Sequence, residues 1–307
     1  MDSLVKIEGK PIEKLIEVIS NEIGTLYRPR AIRKEADAKA YEIKVIEKAK
    51  SEANADSRLI EAENLDRINE RLIAKETARQ NNIDDVVEIA AREINDEPVV
   101  SDKPVNKDWA TRFFNIVQDV SDDEMKNLWG KILAGEVKSP NSYSLRTLEL
   151  LRNLSKDEAD TFVRIAQIVL KEDDYFIFNN DGDLSKFGIT YSDIAKLTEI
   201  GLIQAGTFVQ CEYKSKPDKD MKSGIIYNDK IVIIINIKQG SKDVNIPISV
   251  LTRAGSELYK LISVKPNIEY IKELASSIKN ETVSVEYANI NYINDDHVNY
   301  DHQTIKL

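Results

Sequence analysis

The sequence predicts a mostly α-helical protein with an α+β part at its C-terminal end. Residues 31–97 contain neither glycine nor proline and are rich in Ala, Glu, Lys, Arg and Leu, which favour helix. Amphipathic segments with helical spacing continue to about residue 171. Beyond Glu172, short apolar runs separated by turn residues indicate strands. We therefore expect a long N-terminal helix, a small central helical domain and a winged-helix-like C-terminal module.

The overall composition excludes some classes of function. The chain has 307 residues and a formal net charge of -10, which argues against broad non-specific binding to nucleic acid, because such binding depends on Lys and Arg. A single cysteine, Cys211, allows no intramolecular disulfide and fits a reducing compartment. The N-terminal residues lack a secretory pattern, and no apolar run reaches the roughly 20 residues that cross a bilayer. These features predict a cytoplasmic protein.

The first predicted region, residues 1–30, combines an amphipathic helix with a basic turn. Residues 11–27 place Ile and Leu at spacings of three and four, so one face of the helix is apolar. The turn that follows could bind phosphate groups of nucleic acid or anionic lipid, and an ion-pair role against the acidic remainder of the protein is the favoured alternative. The basic side chains of this candidate binding site are Arg28, Arg30, Arg33 and Lys34.

The second predicted region, residues 31–97, is a long charged helix or a helical hairpin. Its apolar stripe is thin, so we expect it to bury little against its own domain and to pair with another helix. Asn, Asp and Ser near residues 54–57, or Gln and Asn at 80–82, could interrupt it. The sequence leaves open whether the region is one helix or two. Partner pairing predicts a homo-oligomer formed through residues 31–97.

The third predicted region, residues 105–171, is a compact helical domain with clear helix-start signals. Asp108 is expected to cap one helix, and Gly135 is expected to end another. Ser121 with Glu124, and Ser155 with Glu158, have the spacing of capping boxes. Four short helices are therefore expected here.

The fourth predicted region, residues 172–307, is the winged-helix-like module with an acidic tail. Residues 175–178 and the runs 202–213 and 225–238 are expected to be strands, and residues 190–199, 251–262 and 268–278 are expected to be helices. Asn228-Asp229 could form a turn, and residues 282–293 could form a late strand or an irregular tail. Helix 190–199 could contact DNA, although its one Lys and two acids suit that role poorly.

The inventory of reactive residues predicts no catalytic site and no cofactor. Only two histidines exist, and the glycines form neither a P-loop nor a dinucleotide-binding turn. A weak metal site could form in the acidic tail, where a solvated chain end is the favoured interpretation. The weak metal-ligand candidates are His297, His302 and Asp301.

Three segments of the central region resemble an uncharacterised bacterial family defined by a domain of unknown function. They are Asp-Trp-Ala-Thr-Arg-Phe-Phe at 108–114, Leu-Trp-Gly-Lys-Ile-Leu-Ala-Gly-Glu at 128–136 and Ser-Tyr-Ser-Leu-Arg-Thr-Leu at 142–148. The stretch Gly-Thr-Leu-Tyr-Arg-Pro-Arg-Ala-Ile-Arg at 24–33 looks like the N-terminal signature of that family and is similar to a segment of abortive-infection alpha proteins.

The resemblance implies an association with mobile elements and phage-defence genes, and it supplies no catalytic residues. The residues that match the motif and that we interpret as structural are Trp109, Arg112, Phe113, Trp129, Arg146 and Thr147.

The function predicted from these observations is a non-enzymatic oligomeric scaffold or sensor in antiphage defence of the abortive-infection type. One alternative is a membrane-acting effector that uses the amphipathic helix at residues 11–27, which makes peripheral membrane contact possible. A second alternative is a nucleic-acid-binding regulator, although the net charge of -10 makes nucleic acid an unlikely partner. A protein partner other than a second copy of the chain is also possible.

Overall fold

The computed structural model divides the chain into two compact units, Met1–Leu148 and Glu149–Leu307. We call them the helical unit and the sheet unit. The described residues are 10–23, 62–95, 101–178, 184–206, 209–215, 223–263, 265–294 and 297–307.

The helical unit is built from amphipathic helices that share one apolar core. Tryptophan and phenylalanine rings fill its centre: Phe113 lies 5.0 Å from Trp109 and 5.5 Å from Trp129 between ring centroids. No helix among the described residues is both long enough and apolar enough to cross a membrane. The helices are α1 (Lys10–Ile23), α2 (Ala62–Asn95), α3 (Lys107–Val117), α4 (Asp123–Lys138) and α5 (Leu145–Asn153), the last of which crosses the boundary between the units.

The C-terminal half of α2 lies in this core, which corrects the expectation that residues 31–97 bury little against their own domain. Ile83, Val87 and Ile94 are buried at helical spacing. Gly130 of α4 allows close approach, because a Cβ there would stand 2.4 Å from Cγ2 of Ile89. The expectation failed because the apolar stripe is concentrated in the last turns of a segment that is polar on average. The part at 31–61 lies outside the described residues, so the choice between one helix and a hairpin stays open.

Polar contacts fix α2 on the helices beside it. The Arg79 guanidinium donates to both carboxylate oxygens of Asp119, at 2.8 and 3.2 Å. The Lys126 ammonium of α4 donates to Asp85 at 2.9 Å, with its side chain only 10% exposed. Both ion pairs lie near the start of the buried stripe of α2 and help to set the position of the helix along its axis.

The helix starts agree in part with the sequence signals. Ser155 and Glu158 form the predicted capping box. The cap of α3 is Asn106 rather than Asp108, and the cap of α4 is Asp122 rather than Ser121. Each of these two helices begins near more than one short polar side chain. The residue that caps the helix is the one whose side-chain oxygen reaches the backbone N–H of the third helical residue.

Gly135 lies inside α4 rather than at its end. A Cβ there would stand 2.8 Å from the Tyr143 ring, so the glycine leaves space for that ring. The helix continues for another turn to Lys138, so this glycine serves packing rather than helix termination.

The sheet unit contains a nine-stranded antiparallel sheet. The strand order is β3-β6-β2-β1-β4-β5-β7-β8, and β9 also pairs with β7. The strands are β1 (Val169–Lys171), β2 (Tyr175–Phe178), β3 (Val209–Tyr213), β4 (Gly224–Tyr227), β5 (Ile231–Ile237), β6 (Val244–Val250), β7 (Val283–Asn294), β8 (His297–Tyr300) and β9 (Ile305–Lys306).

This sheet contradicts the predicted fold class. The protein is not mostly helical with a small winged-helix-like end, because the C-terminal half is organised by one large sheet. The strands that the sequence analysis did not identify carry weak local signals: β1 is three residues long, and β6 contains Pro247. Pairing between segments distant in the chain creates these strands, and single-sequence patterns do not reveal it.

The helices of the sheet unit agree better with the sequence. They are held together partly by ion pairs, since Lys196 contacts Asp157 at 2.5 Å and Arg164 contacts Asp193 at 3.0 Å. The helices are α6 (Lys156–Ala166), α7 (Tyr191–Glu199), α8 (Arg253–Tyr259) and α9 (Ile268–Ile278).

Candidate functional site

Three adjacent strands place a lysine between two tyrosines. The register pairs Lys171 of β1 with Tyr175 of β2 on one side and with Tyr227 of β4 on the other. Side chains of directly paired residues project from the same face of a sheet, so the three form a row across it. The lysine is thereby held between two aromatic side chains.

A helix and a turn close this row into a cleft of about 240 Å³, which we call the tyrosine cleft. The ring of Tyr259 from α8 lies 4.9 Å from the ring of Tyr175 between centroids. Asp229 comes from the turn between β4 and β5. The lining residues are Leu170, Lys171, Tyr175, Tyr227, Asn228, Asp229, Tyr259 and Ile293.

The turn that presents Asp229 is held by a neighbouring side chain. The buried Asn228 accepts hydrogen bonds at its Oδ1 from the backbone N–H groups of Lys230 and Ile231, both at 2.8 Å. An asparagine in this role fixes a turn locally. The exposed Asp229 is therefore positioned by backbone geometry rather than by a partner for its own carboxylate.

The Lys171 ammonium lies against aromatic rings. Its Nζ is 5.4 Å from the ring centroid of Tyr175 and 5.6 Å from that of Tyr227. Within the described residues, no ion pair or hydrogen bond joins Lys171 or Asp229 to another side chain. The cleft thus contains one cation and one anion, neither with an opposite charge in contact.

The hydroxyls of Tyr175 and Tyr259 in the cleft are protonated at neutral pH. Burial, and to a smaller degree the charge of Asp229, raises the pKa of Tyr175 to about 12. The same two causes raise the pKa of Tyr259. In the described part of the chain, neither hydroxyl makes a hydrogen bond. Each can donate one and accept others, so the cleft offers neutral polar groups beside its two charges.

The lining of the tyrosine cleft offers several kinds of group to a ligand. Its side chains supply aromatic faces, hydroxyls, an ammonium and a carboxylate. Cys211 lies in β3, where burial raises the pKa of its thiol. A raised pKa keeps the thiol protonated and poorly nucleophilic. The chemistry of the lining points to a small polar ligand with some apolar surface.

The basic residues predicted as a phosphate or partner site, Arg28, Arg30, Arg33 and Lys34, lie outside the described residues. The amphipathic helix before them is described as α1. Its apolar residues Ile12, Leu15 and Ile19 are at most 3% exposed. A membrane-binding role for this face would therefore require α1 to leave the protein core.

The residues of the family-like motif form the interior of the helical unit. The indole N–H of Trp109 donates to the carbonyl oxygen of Tyr143 at 2.8 Å, within the loop between α4 and α5. Trp129 is fully buried. The sequence analysis missed the central polar residue, Glu136, which is 1% exposed and accepts from the N–H groups of Asn141 (2.6 Å) and Tyr143 (3.1 Å).

Glu136 connects two of the motif segments, 128–136 and 142–148, through its hydrogen bond to Tyr143. Its carboxylate holds a loop in which Asn141 adopts a positive φ of 74°, a conformation that Asn tolerates better than most residues. The signal in the sequence that could have identified it is its spacing, because Glu136 follows Leu133 by three residues and Ile132 by four and so lies on the apolar face of α4.

The remaining motif residues occupy different environments. Arg112 makes a 3.4 Å ion pair with Asp108 one turn earlier in α3. Thr147 is buried, and its hydroxyl lies 2.9 Å from that of Ser144. Arg146 is exposed, and no hydrogen bond or ion pair joins it to another described residue.

The weak metal-ligand candidates lie at the end of the sheet unit. His297 is exposed in β8, opposite Asn294 of β7, and His302 is exposed beyond that strand. The backbone N–H of Asp301 donates to the carbonyl of Asn289. The described residues contain no group of three or more His, Cys, Asp or Glu side chains that could hold a metal ion. Part of the acidic tail, residues 295–296, lies outside the described residues.

The sequence analysis identified local parts of the tyrosine cleft without identifying the site. It predicted strand 175–178, the turn at Asn228-Asp229 and a helix containing Tyr259. Lys171 was assigned to a helical domain rather than to β1. The first and last residues of the cleft, Leu170 and Ile293, are more than a hundred positions apart in the sequence, so only strand pairing brings them together.

A family model described as a protein of unknown function (DUF2806) matches residues 66–275, which is more than half of the chain. No curated protein and no solved structure matches. The predicted membership of an uncharacterised domain-of-unknown-function family is confirmed. The matched residues include the helical motif and most of the tyrosine cleft, whereas the stretch at 24–33 lies before them.

Proposed function

The chain belongs to the DUF2806 family, whose function is unknown, and we propose that it is a non-enzymatic sensor that works in an oligomeric assembly. The tyrosine cleft is the sensing site, and binding of a small ligand there is the event that the protein detects. The proposed setting is antiphage defence of the abortive-infection type. That setting rests on the resemblance of residues 24–33 and of the motif segments, and nothing in the cleft bears on it.

The single observation that carries the sensing role is the pair of unmatched charges in the cleft. Lys171 and Asp229 both line the tyrosine cleft, and no ion pair joins either of them to another described residue. Lys171 is half-buried between two tyrosine rings, so its charge is partly removed from solvent and would be stabilised by an opposite charge. Charges left available in a concave aromatic site favour a ligand as their partner.

The proposed assembly uses the polar part of residues 31–97. The buried stripe of α2 begins at Ile83 and belongs to the core of the helical unit. Earlier in α2, Ile68, Leu72 and Ile73 are only half-buried and are flanked by exposed charges. The proposed contact between copies is therefore confined to the part of the region that precedes Ile83.

A phage-challenge assay tests the sensing role. We expect cells that produce the wild-type protein to lower the efficiency of plating of at least one phage in a broad panel. Lys171→Met keeps the aliphatic stem and removes the charge, so protection should be lost. Lys238→Met makes the same change in an exposed turn after β5 and is the matched control. Protection that survives Lys171→Met at equal protein level would refute the sensing role.

Light scattering during size-exclusion chromatography tests the assembly. We expect the full chain at micromolar concentration to have a mass that is a multiple of 34.8 kDa. Leu72→Asp places a charge on the half-buried stripe before Ile83 and should shift the mass toward that of the monomer. A wild-type protein that is a strict monomer would rule out the oligomeric part of the proposal.

A further inference from the structure

The arrangement of charges in the tyrosine cleft restricts the chemistry of its ligand. A ligand with only negative charge would meet Lys171 but would be repelled by Asp229. A ligand with only positive charge would meet Asp229 and the tyrosine faces but would be repelled by Lys171. A ligand that carries one charge of each sign can satisfy both side chains at once.

We propose that the tyrosine cleft binds a small zwitterion of the amino-acid type, with its carboxylate against Lys171 and its ammonium against Asp229. This inference rests on the proposed sensing function and names the class of ligand for that site. It assigns each charge of the ligand to one side chain, which makes the two contacts separately testable.

The size of the cleft agrees with this class. Its volume of about 240 Å³ lies below the roughly 300–1,000 Å³ that is typical of pockets for drug-sized ligands. Leu170 and Ile293 give the lining an apolar part, so an aliphatic side chain on the ligand can bury surface there.

The tyrosines support both ends of such a ligand. Protonated hydroxyls of Tyr175 and Tyr259 can donate hydrogen bonds to a carboxylate. The aromatic faces attract a cation, as the position of the Lys171 ammonium over Tyr175 and Tyr227 already demonstrates. The cleft therefore provides a second, uncharged interaction for each charged group of the ligand.

Isothermal titration of the full chain with matched probes tests the inference. Each of the twenty protein L-amino acids is titrated separately, and L-leucine is compared with two analogues that lack one charge. Leucinamide keeps the ammonium and lacks the carboxylate, whereas 4-methylpentanoate keeps the carboxylate and lacks the ammonium. We expect at least one amino acid to bind, and we expect each single-charge analogue of leucine to bind about tenfold or more weakly than leucine, because a charge-assisted contact is lost.

Two variants assign the charges to side chains, with Lys238→Met as the matched control. Lys171→Met should weaken leucine binding about tenfold and abolish the preference for leucine over leucinamide. Asp229→Asn should abolish the preference for leucine over 4-methylpentanoate and leave the other preference in place. Lys238→Met should change neither. Circular dichroism of each variant verifies that the sheet unit is folded.

The outcomes separate this inference from the proposed function. If no amino acid binds at millimolar concentration, or if both variants bind leucine as the wild type does, the zwitterion is wrong. If adenosine monophosphate binds in a Lys171-dependent manner and no amino acid does, the zwitterion is wrong while the sensing function stands. If an amino acid binds through Lys171 and Asp229 but phage protection is independent of Lys171, the ligand class stands and the proposed function is wrong.

Discussion

The motif core of the helical unit and the tyrosine cleft of the sheet unit use charged groups in opposite ways. In the motif core, the buried carboxylate of Glu136 is matched by two backbone N–H groups. The neutral indole N–H groups there differ, since that of Trp109 donates to a carbonyl and that of Trp129 has no hydrogen-bond partner among the described residues. In the cleft, Lys171 and Asp229 have no opposite charge in contact among the described residues. Satisfied groups stabilise a fold, and unsatisfied groups at a concave surface are available to a ligand.

The comparison shows that the most recognisable sequence signature lies in a packed core and not in the tyrosine cleft. The residues that reveal the family, including Trp109 and Trp129, form the interior of a folded unit. The cleft residues are spread over four strands, a turn and a helix and form no local motif. The predictions below test this difference, in order of decreasing expected effect on stability.

The largest effect is expected for Trp129→Ala. This change removes the most voluminous fully buried side chain and leaves a cavity, so the free energy of unfolding of the helical unit should fall by about 3–5 kcal/mol. Both tryptophans lie in the helical unit, and Trp109 remains as a fluorescent reporter during urea unfolding. The control is Glu93→Ala on the exposed face of α2, which should change stability by less than about 0.5 kcal/mol. A Trp129→Ala loss as small as that of the control would contradict the role of the motif as core.

Glu136→Gln tests the polar centre of the same unit at nearly constant volume. The amide keeps one acceptor oxygen and turns its NH₂ group toward a backbone N–H, so one buried donor loses its partner. The free energy of unfolding should fall by about 1–3 kcal/mol. Tryptophan fluorescence during urea unfolding measures it, with Glu93→Gln as the exposed control. Equal stability of wild type and Glu136→Gln would show that the loop at 139–143 does not depend on this carboxylate.

Lys171→Met should separate stability from function. The substitution removes contacts of the ammonium with two tyrosine rings, each of which contributes about 0.5–1 kcal/mol at exposed sites, and the methionine retains much of the packing. The free energy of unfolding should therefore fall by at most about 2 kcal/mol, measured by far-UV circular dichroism during urea unfolding. A loss as large as that of Trp129→Ala would mean that Lys171 supports the fold, and the comparison between the two regions would fail.

The smallest effect is expected for the capping box of α6. Hydrogen bonds from the hydroxyl and backbone N–H of Ser155 lower the pKa of Glu158. Because the pKa is lower in the folded state, the contribution of Glu158 to stability is present above its unfolded pKa of about 4.3 and is lost as the pH falls through the folded pKa. Glu158→Gln should therefore reduce the drop in Tm between pH 6 and pH 3.5. The effect is small because the group is exposed, and identical drops in the two proteins would disprove it.

Local elements were predicted well wherever the chain carries its own signal. Helices α7 and α9, strand β2 and the capping box at Ser155 follow from spacing, caps and apolar runs over a few residues. The errors occur where neighbouring residues offer the same chemistry. Asp108 competes with Asn106 for one cap, and Gly135 fits a helix end as well as it fits a close contact with Tyr143.

The same physical reason explains why neither the sheet nor the cleft was predicted from the sequence. Strand β1 has three residues, and nothing in them indicates that Lys171 will lie between Tyr175 and Tyr227. Register depends on partners that are far away in the chain, and a shift by one residue would turn Lys171 to the other face. The sequence does place tyrosines near predicted strand ends and turns. Their positions alone do not indicate which of them share a site.

The sequence by itself determined the family, the helical periodicities and the approximate positions of most described helices, because these depend on residues that are close together in the chain. Only the tertiary structure decided that the C-terminal half forms a nine-stranded sheet, that Glu136 is the polar centre of the motif and that a lysine, an aspartate and three tyrosines share one cleft. The sheet and the cleft are contacts between distant segments, and the contacts of Glu136, although they join residues only five and seven positions apart, form in a loop rather than within a regular helix or strand. Such contacts are selected by the joint packing of many weak interactions, and no short stretch of sequence contains that information.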